Sequence, residues 1–188
     1  MVIKMKDLIE QQNFLREKFI QEADPPPAGG GEEKPPEPKK LKIDNTPNDD
    51  QLENMKTLAK EFFEPLREKC GVPIQINSFF RCEELNQAIS GSATTSQHVK
   101  GQAIDLDATK GMTNKELFCI IKQEFEFDKL IWEHGNSENP AWIHVSYNKG
   151  QNRKLVYQAT KKPGKAYTIY QYFDLCLCEE ECINNDNE

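Results

Sequence analysis

Apolar residues along this chain recur in two rhythms, and the switch between them marks out its elements. Between residues 3 and 22, Ile3, Leu8, Ile9, Phe14, Leu15 and Phe19 fall close to helical spacing, with Glu and Lys on the remaining faces. That pattern predicts a short amphipathic helix over residues 1–23. The run ADPPPAGGGEEKPPEPKKLK follows. Its prolines and glycines prevent a regular element and its charges prevent burial, so residues 24–45 read as a tether. A lone helix of this length is marginal in water, which favours its docking onto a partner.

The folded domain is predicted over residues 46–160. It opens with NTPNDDQLENMKTLAKEFFEPLREKCG, where Thr46 and Pro47 signal a helix start and Gly71 a stop. Leu52, Met55, Leu58, Ala59, Phe62 and Phe63 keep the helical period between them. The rhythm then shortens to alternation. VPIQINSFF, QAIDLDA, KLIWEHG, AWIHVSYN and KLVYQAT read as strands, and CEELNQAI and NKELFCIIKQEF as helices between them. Helices and strands mixed in this way, with strands close in sequence, predict an α+β domain with a mostly antiparallel sheet and helices packed on one face. Residues 161–188 form an extension in which AYTIYQYFDLCLC is apolar enough to pair or pack, and EEECINNDNE is expected to fray.

Composition narrows the classes. The chain has 188 residues, 37% of them hydrophobic, and a net charge of −7. No basic face of the kind a nucleic-acid reader needs stands out. No apolar run approaches the roughly 20 residues of a membrane span, and MVIKMKDLIEQQNFLREKF has neither the apolar stretch nor the cleavage site of a secretory signal. Synthesis in a cytoplasm is the expectation. The six cysteines form no even framework. Cys70, Cys82 and Cys119 read as free thiols, and Cys176, Cys178 and Cys182 crowd into CLCEEEC, open to a thiol, clip or disulfide reading.

Strand alternation sorts the polar groups. Successive residues of a strand point to opposite faces. Ile104 and Leu106 therefore share one face, with Asp105 on the other; Ile143 and Val145 oppose Trp142 and His144; Leu130 and Trp132 oppose Ile131 and Glu133. If these strands are neighbours, Asp105, His144 and Glu133 converge. His98 lies seven residues before Asp105 with Gly101 between them, and a glycine there lets the chain turn back to the same point. Two imidazoles and a carboxylate are a ligand set for zinc with a fourth position open to water, or for nickel or iron. A carboxylate beside them that is not a ligand can take and return a proton. Spacing alone is no strong motif, and it also allows unrelated polar residues at strand ends.

Three ordered stretches go further. SFFRCEELN, SQHVKGQAIDLD and WIHVSY resemble the peptidase M15 family, which includes zinc D-alanyl-D-alanine carboxypeptidases, dipeptidases and phage cell-wall endopeptidases and is related in fold to the hedgehog signalling domain. Ser96, His98, Gly101, Ala103 and Asp105 meet one pattern, Trp142 and His144 a second, and Arg81 is the arginine after the first strand. The resemblance covers residues 46–158. It implies that His98, Asp105 and His144 hold one zinc ion, and that Arg81 binds substrate with help from Ser96 and Gln97. Trp142 is expected to wall the site.

One departure matters. Many members place the catalytic acid three residues before the last zinc histidine, where this chain has Ala141. Glu133 is the expected replacement, with Asp107 and Glu138 weaker alternatives. His134, next along an extended chain, is expected to point away and not to ligate. The resemblance thus implies a zinc peptidase acting on bacterial peptidoglycan peptides. A phage source is expected, with action after release or as part of a virion or larger assembly joined through the N-terminal helix. A zinc-binding domain without turnover, which Ala141 favours, is the rival in another class. A general amidase is a third reading.

Overall fold

The computed structural model describes residues 43–89, 92–161 and 168–173. The expected N-terminal helix, nearly all of the tether and the CLCEEEC cluster lie outside these residues. The elements below belong to the compact unit Asn45–Glu188.

Helix α1 (Asp49–Leu58) starts two residues after Pro47. Asn48 caps it by accepting from the Gln51 backbone N–H, while the Gln51 side chain accepts from the Asn48 N–H. Each such cap contributes about 1 kcal/mol. The single long helix expected from the periodicity is interrupted by a π-helical turn, Ala59–Phe63, before α2 (Glu64–Cys70). Pro65 explains the interruption. It has no N–H for the carbonyl four residues back and its ring crowds that carbonyl, so the turn before it widens. The wide turn buries Phe62 and Phe63 together. Gly71 closes α2 with φ of 65°.

Strand β1 (Ile74–Ser78), helix α3 (Glu83–Ala88), a 3-10 turn (Gln97–Lys100), β2 (Ala103–Ala108), α4 (Asn114–Glu124), β3 (Lys129–Glu133), β4 (Trp142–Ser146), β5 (Leu155–Lys161) and β6 (Thr168–Tyr172) complete the order. The strands form one sheet in the order β1-β2-β4-β3-β5-β6. All neighbours are antiparallel except β3 and β5, which run parallel. The domain is α+β with a mostly antiparallel sheet, as the pattern predicts.

One sheet face is apolar. Ile104, Leu106, Leu130, Trp132, Ile143 and Val145 are all fully buried, and α4 packs against β2, β3 and β4. The capping box at Thr113 and Glu116 starts α4, whose Leu117, Phe118 and Ile121 are buried. The Phe118 and Trp132 rings meet edge to face at 5.3 Å. Burying a side chain of this size contributes about 1.5–3 kcal/mol, so this layer is a large part of what holds the domain together. No described helix is long and apolar enough to cross a membrane.

Cys70 and Cys82 are free, but Cys119 on α4 is disulfide-bonded, contrary to the free thiol expected there. Disulfide pairing depends on how close two Cα atoms come in the fold, which cysteine spacing does not reveal.

Candidate metal and catalytic site

The opposite sheet face carries the chemistry. Register places Asp105 of β2 directly across from His144 of β4, and Ile131 of β3 across from His144 on its other side. Glu133 lies across from Trp142. Residues paired across strands share a face, so Asp105, His144, Trp142 and Glu133 stand on one surface.

His98 reaches this surface from the 3-10 turn. Ser96 caps the turn, accepting from the His98 N–H at 3.3 Å, and Gly101 ends it with φ of 68°. A Cβ at Gly101 would lie 2.5 Å from the Gln51 carbonyl oxygen, so glycine is required both for the turn and for the packing against α1. Gln51 in turn donates to the Val99 carbonyl at 3.0 Å. A register shift in β1 between Ile76 and Ser78 ends that strand early, and Phe79 and Phe80 turn inward and are buried. The Phe79 carbonyl then faces His98 Nδ1 at 2.5 Å. A carbonyl only accepts, so Nδ1 carries the proton and Nε2 presents its lone pair.

That lone pair lies 3.1 Å from Asp105 Oδ1 and 3.1 Å from His144 Nδ1, and His144 Nδ1 lies 2.9 Å from the same Asp105 oxygen. Among the described residues, His98, Asp105 and His144 form a group able to hold a metal ion. The donor set fits a divalent cation. Ligand atoms about 2.0–2.1 Å from a tetrahedral ion stand about 3.3 Å apart, so a small outward movement admits one. The backbone partner of His98 is the outer support that metal-binding imidazoles require. Burial pushes His98 down to about 4 despite Asp105 beside it, which keeps the ring neutral and able to ligate. Burial works against ionisation of Asp105, but the two imidazoles outweigh it and hold the carboxyl below its usual range.

Glu133 is buried beside this group. Its carboxyl is pushed up to about 7, by burial first; His144 and Arg81 oppose the rise, and Asp105 adds to it. A carboxyl titrating near neutrality suits a general base. Arg81 follows the buried phenylalanines, and its backbone N–H donates to the His98 carbonyl at 3.3 Å. Burial lowers its pKa, while the charges of Asp105 and Glu133 raise it, so its guanidinium lies in the field of both carboxyls. Its Nε is buried without a hydrogen-bond partner among the described residues, leaving a donor for a ligand.

The other residues singled out from sequence fall in different places. Ser96 is occupied as the cap of the turn. Gln97 donates to Asp128 at 2.9 Å. It lines a polar cavity of about 580 Å³ with Lys100, Lys129 and Arg153, whose lining includes none of the three candidate ligands. Trp142 is half-buried next to Glu133. Asp107 is held by Asn77 at 2.7 Å and Asn114 at 2.9 Å, which ties it into the strand end. Glu138 is exposed in the turn. Ala141 donates its backbone N–H to the Glu133 carbonyl at 2.9 Å, so this position shapes the β3–β4 turn.

His134 does not point away. Its φ of 53° breaks the extended alternation. Its ring meets Trp142 at 5.1 Å and its Nε2 lies 3.8 Å from a Glu133 oxygen. It remains outside the three-ligand group.

Sequence comparison agrees with this geometry. The family described as Peptidase M15 matches residues 37–146, against the 46–158 expected, and the chain belongs to that family. Its members are peptidases and typically metal-dependent. No curated protein matches the chain.

Proposed function

We propose that the protein is a zinc peptidase that hydrolyses peptide bonds in bacterial peptidoglycan stems or cross-links. The observation that carries this reading is the meeting of His98 Nε2, Asp105 Oδ1 and His144 Nδ1 within one group, with the buried Glu133 carboxyl on the same sheet face. A zinc ion held there supplies a polarising charge and lowers the pKa of water. Glu133 takes the water proton and returns it to the leaving amine. Arg81 orients the substrate through a carboxylate or carbonyl, using the fork that suits such groups. Trp142 walls the site and excludes water from one side. Ser96 acts indirectly by holding the turn that carries His98, and Gln97 lines a polar cavity that can take up polar groups of an extended substrate.

Peptidoglycan as the substrate rests on the resemblance to family members that act on wall peptides. A phage setting, free or on a virion, rests on the same resemblance and on the N-terminal helix and tether expected from the sequence. A zinc-binding module without turnover is the second reading, and Ala141 in place of the usual acid favours it.

Isolated peptidoglycan incubated with zinc-loaded protein separates the two. Amine release by the wild type, reduced about 10²–10⁴-fold in E133A with zinc still bound, is the expected result. No release by either protein, with zinc bound in both, overturns the peptidase reading.

A further inference from the structure

The sheet places one more functional group on the site face. In the parallel pair β3–β5, Glu133 lies across from Ala159, and in the pair β5–β6, Ala159 lies across from Tyr170. The three residues form one row, so their side chains share a face. Strands are spaced about 4.8 Å apart, which puts the Tyr170 backbone about 10 Å from that of Glu133, within reach of a tyrosine leaning across. The residue between them is the smallest that has a Cβ, and Ala159 is fully buried. Its methyl leaves space for the phenol to lie over it toward Glu133.

Electrostatics point the same way from both sides. The Tyr170 phenol is pushed up to about 12, by burial first and then by the charges of Glu133 and Asp105, with Arg81 opposing. The Arg81 guanidinium feels Tyr170 in return. A residue on the outermost strand thus interacts with the proposed base, a candidate ligand and the proposed substrate-binding arginine. Yet Tyr170 remains 47% exposed, so it is not sealed off from a substrate. Tyr172 is the contrast. It lies one pleat along the same strand and face, is 71% exposed and meets Tyr157 edge to face at 6.3 Å.

We propose that Tyr170 is a catalytic residue whose hydroxyl donates a hydrogen bond to the oxyanion that forms on the scissile carbonyl. This rests on the peptidase reading above. As the water oxygen bonds to the carbonyl carbon, the carbonyl π pair moves onto its oxygen and the water proton passes to Glu133. On collapse the C–N bond breaks, its electron pair stays on nitrogen, and Glu133 returns the proton there. Tyr170 keeps its own proton throughout, as its raised pKa requires at neutral pH. Its contribution is a donor aimed where negative charge develops, in a site partly shielded from water.

The test uses the full-length zinc-loaded chain as wild type, Y170F and Y172F. Turnover is measured on a wall stem peptide, and binding of a phosphinate isostere of that peptide is measured by calorimetry. Loss of one oxyanion donor lowers kcat about 100-fold and leaves KM within about twofold. Y170F is expected to show that split, to bind the phosphinate more weakly by a similar factor, and to keep the zinc content and melting temperature of the wild type. Y172F is expected to match the wild type in every measurement. Unchanged kcat in Y170F overturns the proposal, as does a loss accompanied by lost zinc or confined to KM. An inactive wild type overturns the peptidase reading and this inference with it, whereas an active wild type with an indifferent Y170F overturns this inference alone.

Discussion

His98 Nδ1 stands 2.5 Å from the Phe79 carbonyl oxygen, and this contact decides which nitrogen of the ring faces Asp105 and His144. The donor proton is used up by the backbone, so the remaining lone pair points into the group. The contact also fixes the ring plane before any ion arrives, which limits the ordering that binding must impose.

A metal-binding measurement follows. Protein stripped with chelator and reloaded with zinc is expected to take up about one equivalent, as one three-residue site allows. H98A and H144A are expected to take up none under the same conditions. An ion present at about 1,000 times its dissociation constant adds about 4 kcal/mol to folding stability. Elemental analysis and thermal melts with and without zinc check both statements.

The buried carboxyl of Glu133 predicts a pH effect in the metal-free protein. Its folded pKa of about 7 lies above the 4.5 usual for this group, so the native chain holds this proton more tightly than the unfolded chain. Stability from this group is therefore fully present below pH 4.5 and is lost as pH rises toward 7. E133Q has no such titration. Its stability relative to the wild type is expected to grow by about 3 kcal/mol across that window and to level off above it. Comparing the two proteins removes the opposing contribution of His98. Urea denaturation at several pH values measures the difference, and a flat difference contradicts it.

G101A is expected to destabilise the domain by about 2 kcal/mol or more. The methyl would meet the Gln51 carbonyl oxygen at 2.5 Å on a backbone with φ of 68°, and both costs add. Because this glycine ends the turn that carries His98, zinc affinity is expected to fall as well. Denaturation and zinc titration of the same variant read the two effects.

The site was legible in the sequence wherever a regular strand carried it. Alternation in AIDLD, LIWE and WIHVS placed Asp105, Glu133 and His144 on faces that the observed register brings together. It failed where the backbone leaves extended geometry. Alternation predicts His134 on the far side, yet it returns beside Glu133 because its φ is 53°, a conformation that residue type does not signal. In the sequence Asn114 reads only as the start of a helix. Its side chain accepts from the Ala108 N–H and donates to Asp107 and to the Pro140 carbonyl, joining the end of β2 to the loop before His144. Those bonds span separate elements, so no local pattern announces them. Tyr170 carries no local signal for the same reason. The apolar tail suits a strand or simple packing, and only the order of strands in the sheet shows which row it completes.

The parallel placement of β5 beside β3 ties the surroundings of Glu133 to a later part of the chain than the candidate ligands. His98, Asp105 and His144 all precede Leu155, the first residue of β5. Without β5 along β3, the outer flank of Glu133 would face water and the burial that raises its pKa would be lost in part. Grip on an ion and basicity of the neighbouring carboxyl therefore draw on different stretches of chain, the second relying on residues that take no part in the first.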